Sequence, residues 1–425
     1  MQQNEIRNTE QETDMTMTTT PPLKHLRVID LSRVLAGPFC TQMLGDMGAE
    51  IIKIERPGAG DDTRKWGPPF LNDTNGNKTT ESAYYLSANR NKKSVAIDIS
   101  TTDGQALIKS LLKDADIVIE NFKTGGLKKY GLSYEDLKDD YPHLVYCSIT
   151  GFGQTGDLAT EPGYDFLAQA MSGLMSVTGE PDGTPMKVGV ALSDIMTGLH
   201  AAIGILAAIE NRHKTGLGQH VDLALLDCTL SSLTNVAQYY LTSGKMAPRL
   251  GNAHSTIVPY QSFETKDGHV IIAVGNDRQF SRLCDGLGCN DIAADPLYAT
   301  NSARVENRDA LIKILQGRLL EHSTDHWVTL FQDIDVPVAP VNTLEDAFKM
   351  KQVQQRDMQI TMHHDGAGHD IDLVGSPLKF SRSPVSYDAA PPTCGQHTKD
   401  ILRDLLQKND EEIAALEANN IIASS

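Results

Sequence analysis

The amino-acid sequence predicts a doubly wound, Rossmann-like α/β domain accompanied by a smaller α+β domain. The first observation is an alternation of short apolar runs with helical segments, which begins at Leu26–Leu31 and continues to Gln219–Leu226. Strands that alternate with helices form parallel sheets whose faces are covered by the helices. The second observation is that this alternation ends after Cys228, and that Lys266-Asp267-Gly268 then joins two apolar runs, as in an antiparallel hairpin.

The elements of the first domain follow from the spacing of apolar residues and from turn residues between them. The predicted strands are Leu26–Leu31, Glu50–Glu55, Ser94–Asp98, Ile117–Glu120, Leu144–Ile149 and Gln219–Leu226. Helices are predicted after Ala36-Gly37-Pro38 through Met47, over Thr102–Lys113, from Gly163 to about Leu174 and over Leu199–Ile209. The intervening connections include a long loop, Pro57–Thr80, a basic turn, Asn89–Lys93, and a glycine-rich loop, Gly151–Gly156. Long irregular loops of this kind often carry binding residues.

The change of pattern after Cys228 sets the expected domain boundaries. We expect a disordered tail at residues 1–22, a large α/β domain at 23–229, a small α+β domain at 230–341, and a C-terminal part at 342–425 that returns to the large domain. The small domain is predicted to contain a helix at Thr229–Leu241, a hairpin, three further helices and an extended linker at Val336–Pro340. The C-terminal part is predicted to contain a strand pair around Met362–Val374.

Composition excludes several classes of function. The 425 residues are 40% hydrophobic and 22% charged, as in ordinary globular proteins. A net charge of −17 argues against a nucleic-acid partner bound over a broad surface. No apolar stretch suggests a membrane span, and the polar tail resembles neither a secretory signal nor a transit peptide. We therefore expect no membrane partner and a cytoplasmic location, with a mitochondrial location left open.

Cysteine and histidine usage predicts neither disulfides nor a metal centre. The six cysteines are scattered without a CxxC pair, which indicates a reducing compartment. One group has the composition of a metal site: His363, His364, Asp365, His369 and Asp370. Because it surrounds two glycines between strand-like runs, a hairpin turn is the better interpretation.

The stretch Gly189–Gly198 places an acid at the start of a helix, behind a short apolar strand. Ser193 or Asp194 suits the N-cap position, where a side-chain oxygen accepts an amide of the first turn. The helix dipole favours an ionised carboxylate there, and such a carboxylate near an apolar floor can act as a nucleophile. The following helix face is rich in small residues that allow close approach: Gly198, Ala201, Ala202, Gly204, Ala207 and Ala208. Since capping acids far outnumber nucleophilic ones, this pattern alone leaves both roles open.

Cations follow two predicted strands at the ends where open α/β sheets bind ligands. The first turn lacks the GxGxxG spacing of dinucleotide-binding proteins, and Arg56, which follows the second strand, suits a phosphate. Asn121-Phe122 ends another strand, and Lys123, Lys128 and Lys129 make the adjoining rim positive. For each of these cations a solvated surface role is equally open.

Several longer motifs carry a resemblance that extends from about Leu26 to Ile422. They are LSRVLAGPF (31–39), KIERPGAGDDTRKWGPPF (53–70), NRNKKSVAIDI (89–99), YCSITGFGQTG (146–156), GYDFLAQAMSG (163–173), ALSDIMTG (191–198) and GQHT (395–398). With these motifs the chain resembles the family III CoA-transferases, which include formyl-CoA transferase, carnitine CoA-transferase and the related α-methylacyl-CoA racemases. The runs SRVLAGPF, ERPGAGDDTR and SITGFGQTG are most similar to the succinyl-CoA-dependent branch that acts on dicarboxylic acids such as glutarate or hydroxymethylglutarate.

The resemblance implies that Asp194 is the nucleophile and that the reaction passes through an aspartyl anhydride and an aspartyl-CoA thioester. It implies no metal, nicotinamide or ATP, and no cofactor beyond the CoA thioester substrate. It places CoA contacts at Leu35, Ala36, Arg56, Ile97, Asp98, Ile99, Ser100, Asn121, Phe122, Lys129, Tyr164 and Asp165. Lys129 stands where formyl-CoA transferase has Arg, and Gly251–Ser255 stands where that enzyme has a glycine-rich gating loop.

The same resemblance implies the partners: CoA thioesters, small carboxylic acids and a second copy of the chain, as a homodimer of interlocked, ring-like chains. Two alternatives are an α-methylacyl-CoA racemase-like epimerase and a non-catalytic acyl-CoA-binding protein. The racemases carry Gly-His-Asp where this chain has Gly163-Tyr164-Asp165, and tyrosine is a poor base at neutral pH. A non-catalytic protein is expected to lack the nucleophile. For the distal carboxylate of a dicarboxylic acceptor, the candidate cations are Arg90, Arg249 and His254.

Overall fold

The computed structural model describes residues 20–425. The predicted disordered tail, residues 1–22, therefore lies outside the described residues except for its last three positions.

The described residues form strands and helices that are numbered here in chain order. The strands are β1 (Arg27–Asp30), β2 (Glu50–Glu55), β3 (Phe70–Asn72), β4 (Lys78–Ser82), β5 (Lys92–Ile97), β6 (Ile117–Glu120), β7 (Val145–Thr150), β8 (His220–Ala224), β9 (Tyr260–Glu264), β10 (His269–Ala273), β11 (Val338–Pro340), β12 (Gln359–His364), β13 (His369–Val374) and β14 (Ile422–Ala423). The helices are α1 (Ala36–Asp46), α2 (Ala83–Leu86), α3 (Thr102–Leu112), α4 (Tyr134–Leu137), α5 (Asp165–Met171), α6 (Leu174–Val177), α7 (Leu192–Thr215), α8 (Leu225–Ser232), α9 (Thr234–Ser243), α10 (Asp277–Gly286), α11 (Asn290–Ala294), α12 (Asn301–Glu306), α13 (Arg308–Leu319), α14 (Thr324–Asp333), α15 (Leu344–Lys349), α16 (Lys351–Gln355), α17 (Thr398–Asp404) and α18 (Asp410–Ala418). Short 3-10 turns occur at Asp62–Lys65 and Lys128–Tyr130.

A seven-stranded sheet with the order β14-β5-β2-β1-β6-β7-β8 organises the first part of the chain. Its strand pairs are parallel except for the pair of β14 with β5. The predicted α/β architecture with a parallel sheet is therefore confirmed. Apart from β14, the strands follow the order 3-2-1-4-5-6 of doubly wound sheets, and this order reverses between β1 and β6. In such sheets, ligands bind in the crevice at the carboxyl ends of the strands where the order reverses.

One face of this sheet is apolar because alternate residues of each strand point to the same side. Ile29, Ile52 and Val95 pack in a core that also contains apolar residues of α3, α17 and α18. Ile422 of β14 joins this core and pairs with Ile97 of β5, which fixes the C-terminal segment to the sheet.

The other face buries charges that the sequence did not predict to be buried. Lys53 lies 2.9 Å from a carboxylate oxygen of Asp61, and Lys92 lies 3.3 Å from one of Asp30, with all four side chains fully buried. The predicted basic turn Asn89–Lys93 is therefore wrong in its second half, since Lys92 is the first residue of β5. Pairing permits this burial because an uncompensated charge in a protein interior is very costly.

Contacts within the chain divide it into two units. Of the described residues, the first unit contains 20–162, Asp194–Ala224 and Met358–Ser425, and the second contains Gly163–Ser193 and Leu225–Asp357. The sequence-based bounds differ from this division, because they assigned 163–193 and 225–229 to the large domain and 342–357 to the returning C-terminal part.

The second unit contains a three-stranded sheet with the order β11-β10-β9. The predicted hairpin is confirmed, since β9 and β10 pair antiparallel on either side of Thr265–Gly268. The predicted linker Val336–Pro340 is wrong, because Val338–Pro340 pairs with β10 as the edge strand β11. Proline is accommodated at a sheet edge, where its missing N–H is not needed for pairing.

Some other predicted segments contain more than one element in the structure, because a single local sequence pattern covers both. The helix predicted at Thr229–Leu241 is instead α8 followed by α9, with a break at Leu233 and a left-handed φ of 40° at Thr234, where α9 begins. The long loop Pro57–Thr80 contains the 3-10 turn and most of the hairpin β3–β4. At the histidine cluster, β12 and β13 form the predicted hairpin, with His364 paired to His369.

By its length and apolar composition alone, helix α7 could cross a membrane. This corrects the expectation from the sequence that no segment is long and apolar enough to do so. A core helix of a globular protein can have the same length and composition. Within α7, Ala201, Ile205 and Ala208 are buried, and a Cβ on Gly204 would lie 3.0 Å from the side chain of Val221 in β8. The helix therefore packs closely on the sheet.

Candidate active site

A pocket lies at the carboxyl ends of β1, β2, β5 and β6, beside the point where the strand order reverses. Its volume is about 370 Å³. It is lined by residues at or after the ends of those strands: Leu31, Arg33, Lys53–Arg56, Gly60–Asp62, Ile97–Ser100, Phe122 and Tyr130. Half of the predicted CoA contacts are among them, namely Arg56, Ile97, Asp98, Ile99, Ser100 and Phe122. Residues that are far apart in sequence therefore meet at one ligand-sized site.

The turn between β1 and α1 borders this pocket and has a strained backbone. Val34 has a φ of 73°, a left-handed conformation that β-branched residues rarely adopt. Its amide donates to the carboxylate of Asp61 at 3.2 Å. The side chain of Asn121 clamps the preceding residue, because it accepts from the Arg33 amide at 2.9 Å and donates to the Arg33 carbonyl at 2.6 Å. Asn121 was predicted as a CoA contact, and the structure uses its side-chain amide to hold this turn.

Leu35 and Ala36 follow directly and begin α1. Leu35 occupies the N-cap position without a capping side-chain hydrogen bond, and Ala36 is buried. Neither residue lines the pocket at the strand ends. The strained turn at Val34, which Asn121 and Asp61 hold, connects Leu35 and Ala36 to that pocket.

The charge of Asp61 is stabilised within the fold. Burial opposes its ionisation, but the neighbouring Lys53 ammonium and the amide and hydroxyl of Thr63 outweigh burial and lower the pKa of Asp61 to about 2. Burial likewise opposes the charge of Lys53, yet Asp61 and Asp30 raise its pKa above the usual value. Lys53 also donates to the Ser32 carbonyl at 2.9 Å, so the same pair holds both ends of the strained turn.

Sequence reasoning missed Arg33 as a pocket residue. Its guanidinium forms an ion pair with Asp62 at 2.5 Å and lies over the Phe122 ring at 5.6 Å from the centroid. Both charged side chains remain close to half exposed. The signal was available, because Arg33 lies shortly after the end of β1 and Arg56 directly after the end of β2, at the strand ends that bind ligands.

Arg56 and Lys129 are the predicted cations of the site. Arg56 is exposed at the pocket, and no ion pair with an acid of residues 20–425 is found for it. Lys129 is exposed and its ammonium lies 4.6 Å from the ring centroid of Tyr130, a pocket residue. Accessible cations at a pocket rim suit the phosphates of a nucleotide-containing ligand.

Asp194 lies in the first turn of α7, which begins at Leu192 without the predicted strand before it. The prediction that Ser193 or Asp194 is the N-cap is therefore wrong, since both residues are inside the helix. The Ser193 amide instead donates to the carboxylate of Asp165 at 2.8 Å, within the second unit. Asp194 keeps its place at the positive end of the helix dipole, and the capping work falls to an acid from another segment.

Gly198 brings this helix onto the first βα turn. A Cβ on Gly198 would lie 2.7 Å from the Ala36 carbonyl oxygen and 3.2 Å from the ring of Phe39. The predicted close approach at this small residue is confirmed. Asp194 precedes Gly198 by one turn, about 6 Å along the helix axis. Asp194 therefore lies on the same helix as the residue that contacts the start of α1, one turn before it.

The pair Tyr164-Asp165 was predicted to contact CoA. Tyr164 precedes α5 and is 65% exposed. The Asp165 carboxylate accepts from the Gln169 side chain at 2.8 Å in addition to the Ser193 amide. Asp165 therefore has a structural role at the start of α7.

The candidates for the distal carboxylate of an acceptor differ in their partners. Arg90 is buried and pairs with Asp46 at 2.5 Å, so this candidate is wrong. The Arg249 guanidinium donates to the backbone carbonyls of residues 176, 180 and 183, which commits it to holding that loop. The His254 ring accepts from the Thr256 amide through Nδ1 and packs on Tyr260 at a centroid distance of 5.3 Å.

Comparison with known proteins gives a consistent result. The model of "CoA-transferase family III" matches residues 23–398. A mouse protein named "Succinyl-CoA:glutarate CoA-transferase" is 45% identical over 401 residues, which cover 94% of this chain and 90% of the relative. "Succinate--glutarate CoA-transferase" of Agrobacterium fabrum is 47% identical over 91% of this chain and 96% of its own length. Among solved structures, a CAIB/BAIF family protein from Brucella suis is 46% identical, with a TM-score of 0.83 over 91% of this chain and 100% of that chain.

The contact of Gly198 with the start of α1 gives a testable prediction. We expect Gly198→Ala to lower the free energy of unfolding by about 1–3 kcal/mol, because the added methyl group meets a backbone oxygen that cannot move aside easily. Urea denaturation followed by circular dichroism measures this change. Gly317→Ala is the matched control: Gly317 is also helical, a Cβ there meets nothing within 4 Å, and we expect no loss of stability. Equal stability of the two variants would contradict the close contact.

Proposed function

Because the chain belongs to CoA-transferase family III, we propose that it moves coenzyme A from succinyl-CoA to glutarate or a similar dicarboxylic acid. The observation that carries this proposal is the placement of Asp194, in the first turn of α7 and one turn before the Gly198–Ala36 contact. The names of the mouse and Agrobacterium relatives support the choice of donor and acceptor.

The proposed reaction uses the Asp194 carboxylate at each step. It attacks the carbonyl of succinyl-CoA, which breaks the C–S bond and leaves a succinyl-aspartyl anhydride and CoA thiolate. The thiolate attacks the aspartyl carbonyl, and succinate leaves with the anhydride oxygen. The acceptor carboxylate then attacks the aspartyl-CoA thioester, which releases the thiolate and forms a second anhydride. The thiolate takes the acceptor acyl group, and Asp194 is regenerated.

The first unit supplies features suited to this chemistry. The positive end of α7 favours the ionised form of a carboxylate in its first turn. We propose that Arg56, with Arg33 beside it, binds CoA phosphates, and that residues 97–100 and Phe122 form the wall against which CoA lies. The contacts assigned to Leu35, Ala36, Lys129 and Tyr164 remain part of the proposal. Asn121 and Asp165 are proposed to act through the backbone segments they hold.

We also propose that the enzyme is a homodimer of two interlocked, ring-like chains. The second unit supports this view, because Tyr239, Tyr240 and Leu241 at the end of α9 are 48%, 51% and 72% exposed. A second copy that covered such consecutive apolar side chains would remove them from water, which is favourable.

The substrate assignment is tested by incubating the protein with succinyl-CoA and a panel of carboxylic acids. We expect new CoA thioesters with glutarate and related dicarboxylates, and at least tenfold less with monocarboxylates of the same length. Mass spectrometry identifies each thioester. Preference for a monocarboxylate, or hydrolysis of succinyl-CoA without transfer, would overturn the assignment.

The nucleophile is tested with Asp194→Ala and Asp194→Asn. Both variants are expected to lose transfer by at least about 10³-fold while they still bind CoA, because each removes the nucleophilic carboxylate and leaves the proposed CoA pocket unchanged. Treatment of the wild-type protein with succinyl-CoA and hydroxylamine should convert Asp194 to a hydroxamate that mass spectrometry locates. Asp165→Asn is the comparison: it keeps an oxygen that can accept the Ser193 amide and should retain far more activity. Full transfer by Asp194→Ala would refute the mechanism.

The oligomeric state is tested by light scattering at micromolar concentration. We expect a particle of twice the chain mass, since the exposed apolar side chains of α9 would be covered in a dimer. A monomer under these conditions would refute the interlocked arrangement.

A further inference from the structure

A second cavity, of about 310 Å³, lies in the first unit beside the wall of the proposed CoA pocket. Glu120 at the end of β6, Ser148 of β7 and His220 of β8 line it. These residues come together because Glu120 and Ser148 are opposite each other in the sheet, as are Tyr146 and His220. Glu120 is 5% exposed and Ser148 is 2% exposed. The proposed mechanism uses none of these side chains.

The three side chains form a hydrogen-bonded chain that ends on the backbone of Phe122. His220 Nε2 and Ser148 Oγ are 2.9 Å apart, and the Ser148 side chain bonds to the Glu120 carboxyl group. The Phe122 amide donates to Glu120 Oε2 at 2.8 Å. With Glu120 ionised, every donor points to the carboxylate: His220 donates to Ser148, and Ser148 and Phe122 donate to Glu120. Hydrogen bonds to a charged acceptor are about twice as strong as those between neutral groups.

Phe122 and its neighbour connect this chain to the first pocket. Phe122 lines that pocket, and its ring lies beneath the Arg33 guanidinium. Asn121, between Glu120 and Phe122, holds the backbone of Arg33 in the strained turn. The Glu120 carboxylate thus fixes the segment that supports both the wall and the turn.

We propose that Glu120, oriented by Ser148 and His220, is a positioning residue for CoA, and that its charge state determines how firmly the Asn121-Phe122 segment is held. The inference rests on the proposed location of the CoA site. Glu120 itself acts through Phe122 and Asn121 and does not touch the ligand.

The groups around Glu120 place its titration near neutral pH. Burial is the largest effect and, together with Asp222 on β8, outweighs the bonds from Ser148 and Phe122, raising the pKa of Glu120 to about 7. Burial lowers the pKa of His220 below its usual value, which favours the neutral ring. Tyr146 on β7 has its pKa raised by burial and stays protonated, and Lys123 and Glu135 are exposed at the cavity wall. A raised carboxyl pKa means that the charged form, and the stronger hold on Phe122, is present above pH 7 and is lost below it.

The test is calorimetric titration of coenzyme A into the full chain at pH 6, 7 and 8. With a pKa of about 7 for Glu120, wild-type affinity should fall about tenfold from pH 8 to pH 6 beyond any change from the ligand phosphates. Glu120→Gln mimics the protonated form, so it should bind about tenfold more weakly than wild type at pH 8 and equally at pH 6. Because the phosphates titrate identically in both proteins, the difference between the two curves isolates Glu120. Glu135→Gln, an exposed acid on the wall of the same cavity, should follow the wild-type curve.

A second variant keeps the proposal testable if Glu120→Gln does not fold. Ser148→Ala removes a donor to the ionised carboxylate, and the midpoint of the wild-type pH dependence should move upward by about half a pH unit or more. Parallel curves for wild type and Glu120→Gln, or an unmoved midpoint in Ser148→Ala, would overturn the positioning role and leave the proposed function intact. Failure of wild type to bind coenzyme A at any of these pH values would overturn both.

Discussion

The buried ion pair between Lys53 and Asp61 holds the strained turn beside the proposed CoA site. Asp61 accepts the Val34 amide and Lys53 donates to the Ser32 carbonyl, so one pair fixes both ends of a backbone segment in an unfavourable conformation. Buried pairs of this kind contribute little net stability, but removal of one partner leaves an unpaired buried charge and costs about 3–5 kcal/mol. The pair therefore serves chiefly to maintain a conformation, and the conformation determines where α1 begins.

The packing of helix α7 depends on where α1 begins. Its Gly198 lies against the Ala36 carbonyl, which leaves no space for a side chain between the two helices. Asp194 is one turn away, so this close packing of Gly198 on Ala36 limits how far the first turn of α7 can shift relative to α1. The amide of the adjacent Ser193 is satisfied by Asp165. An acid from another segment thus accepts an amide in the same helical turn as Asp194, the carboxylate with the proposed covalent role.

Polar residues considered as ligand contacts divide into those that hold backbone and those that face the ligand site. Asn121, Arg249 and Asp165 are polar residues that first suggested ligand contacts, and each has backbone groups as partners. Arg33 and Arg56 remain exposed at the pocket. Glu120 belongs to the first class, yet its burial places its ionisation within the physiological range. A residue that only supports backbone can in this way influence ligand affinity.

The sequence by itself determined the parallel sheet and the hairpin Tyr260–Ala273, and it placed Arg56 and Phe122 at strand ends, because these features follow from local periodicity, from turn residues and from the rule that parallel strands end at the same edge. It also determined the family, through motifs that extend along the chain. Only the tertiary structure decided the partners: that Arg90 pairs with Asp46, that Val338–Pro340 is a strand, and that Asp165 supplies the cap expected from Ser193 or Asp194. These pairings join residues that are distant in sequence. No local pattern records which distant group will satisfy a buried charge or amide.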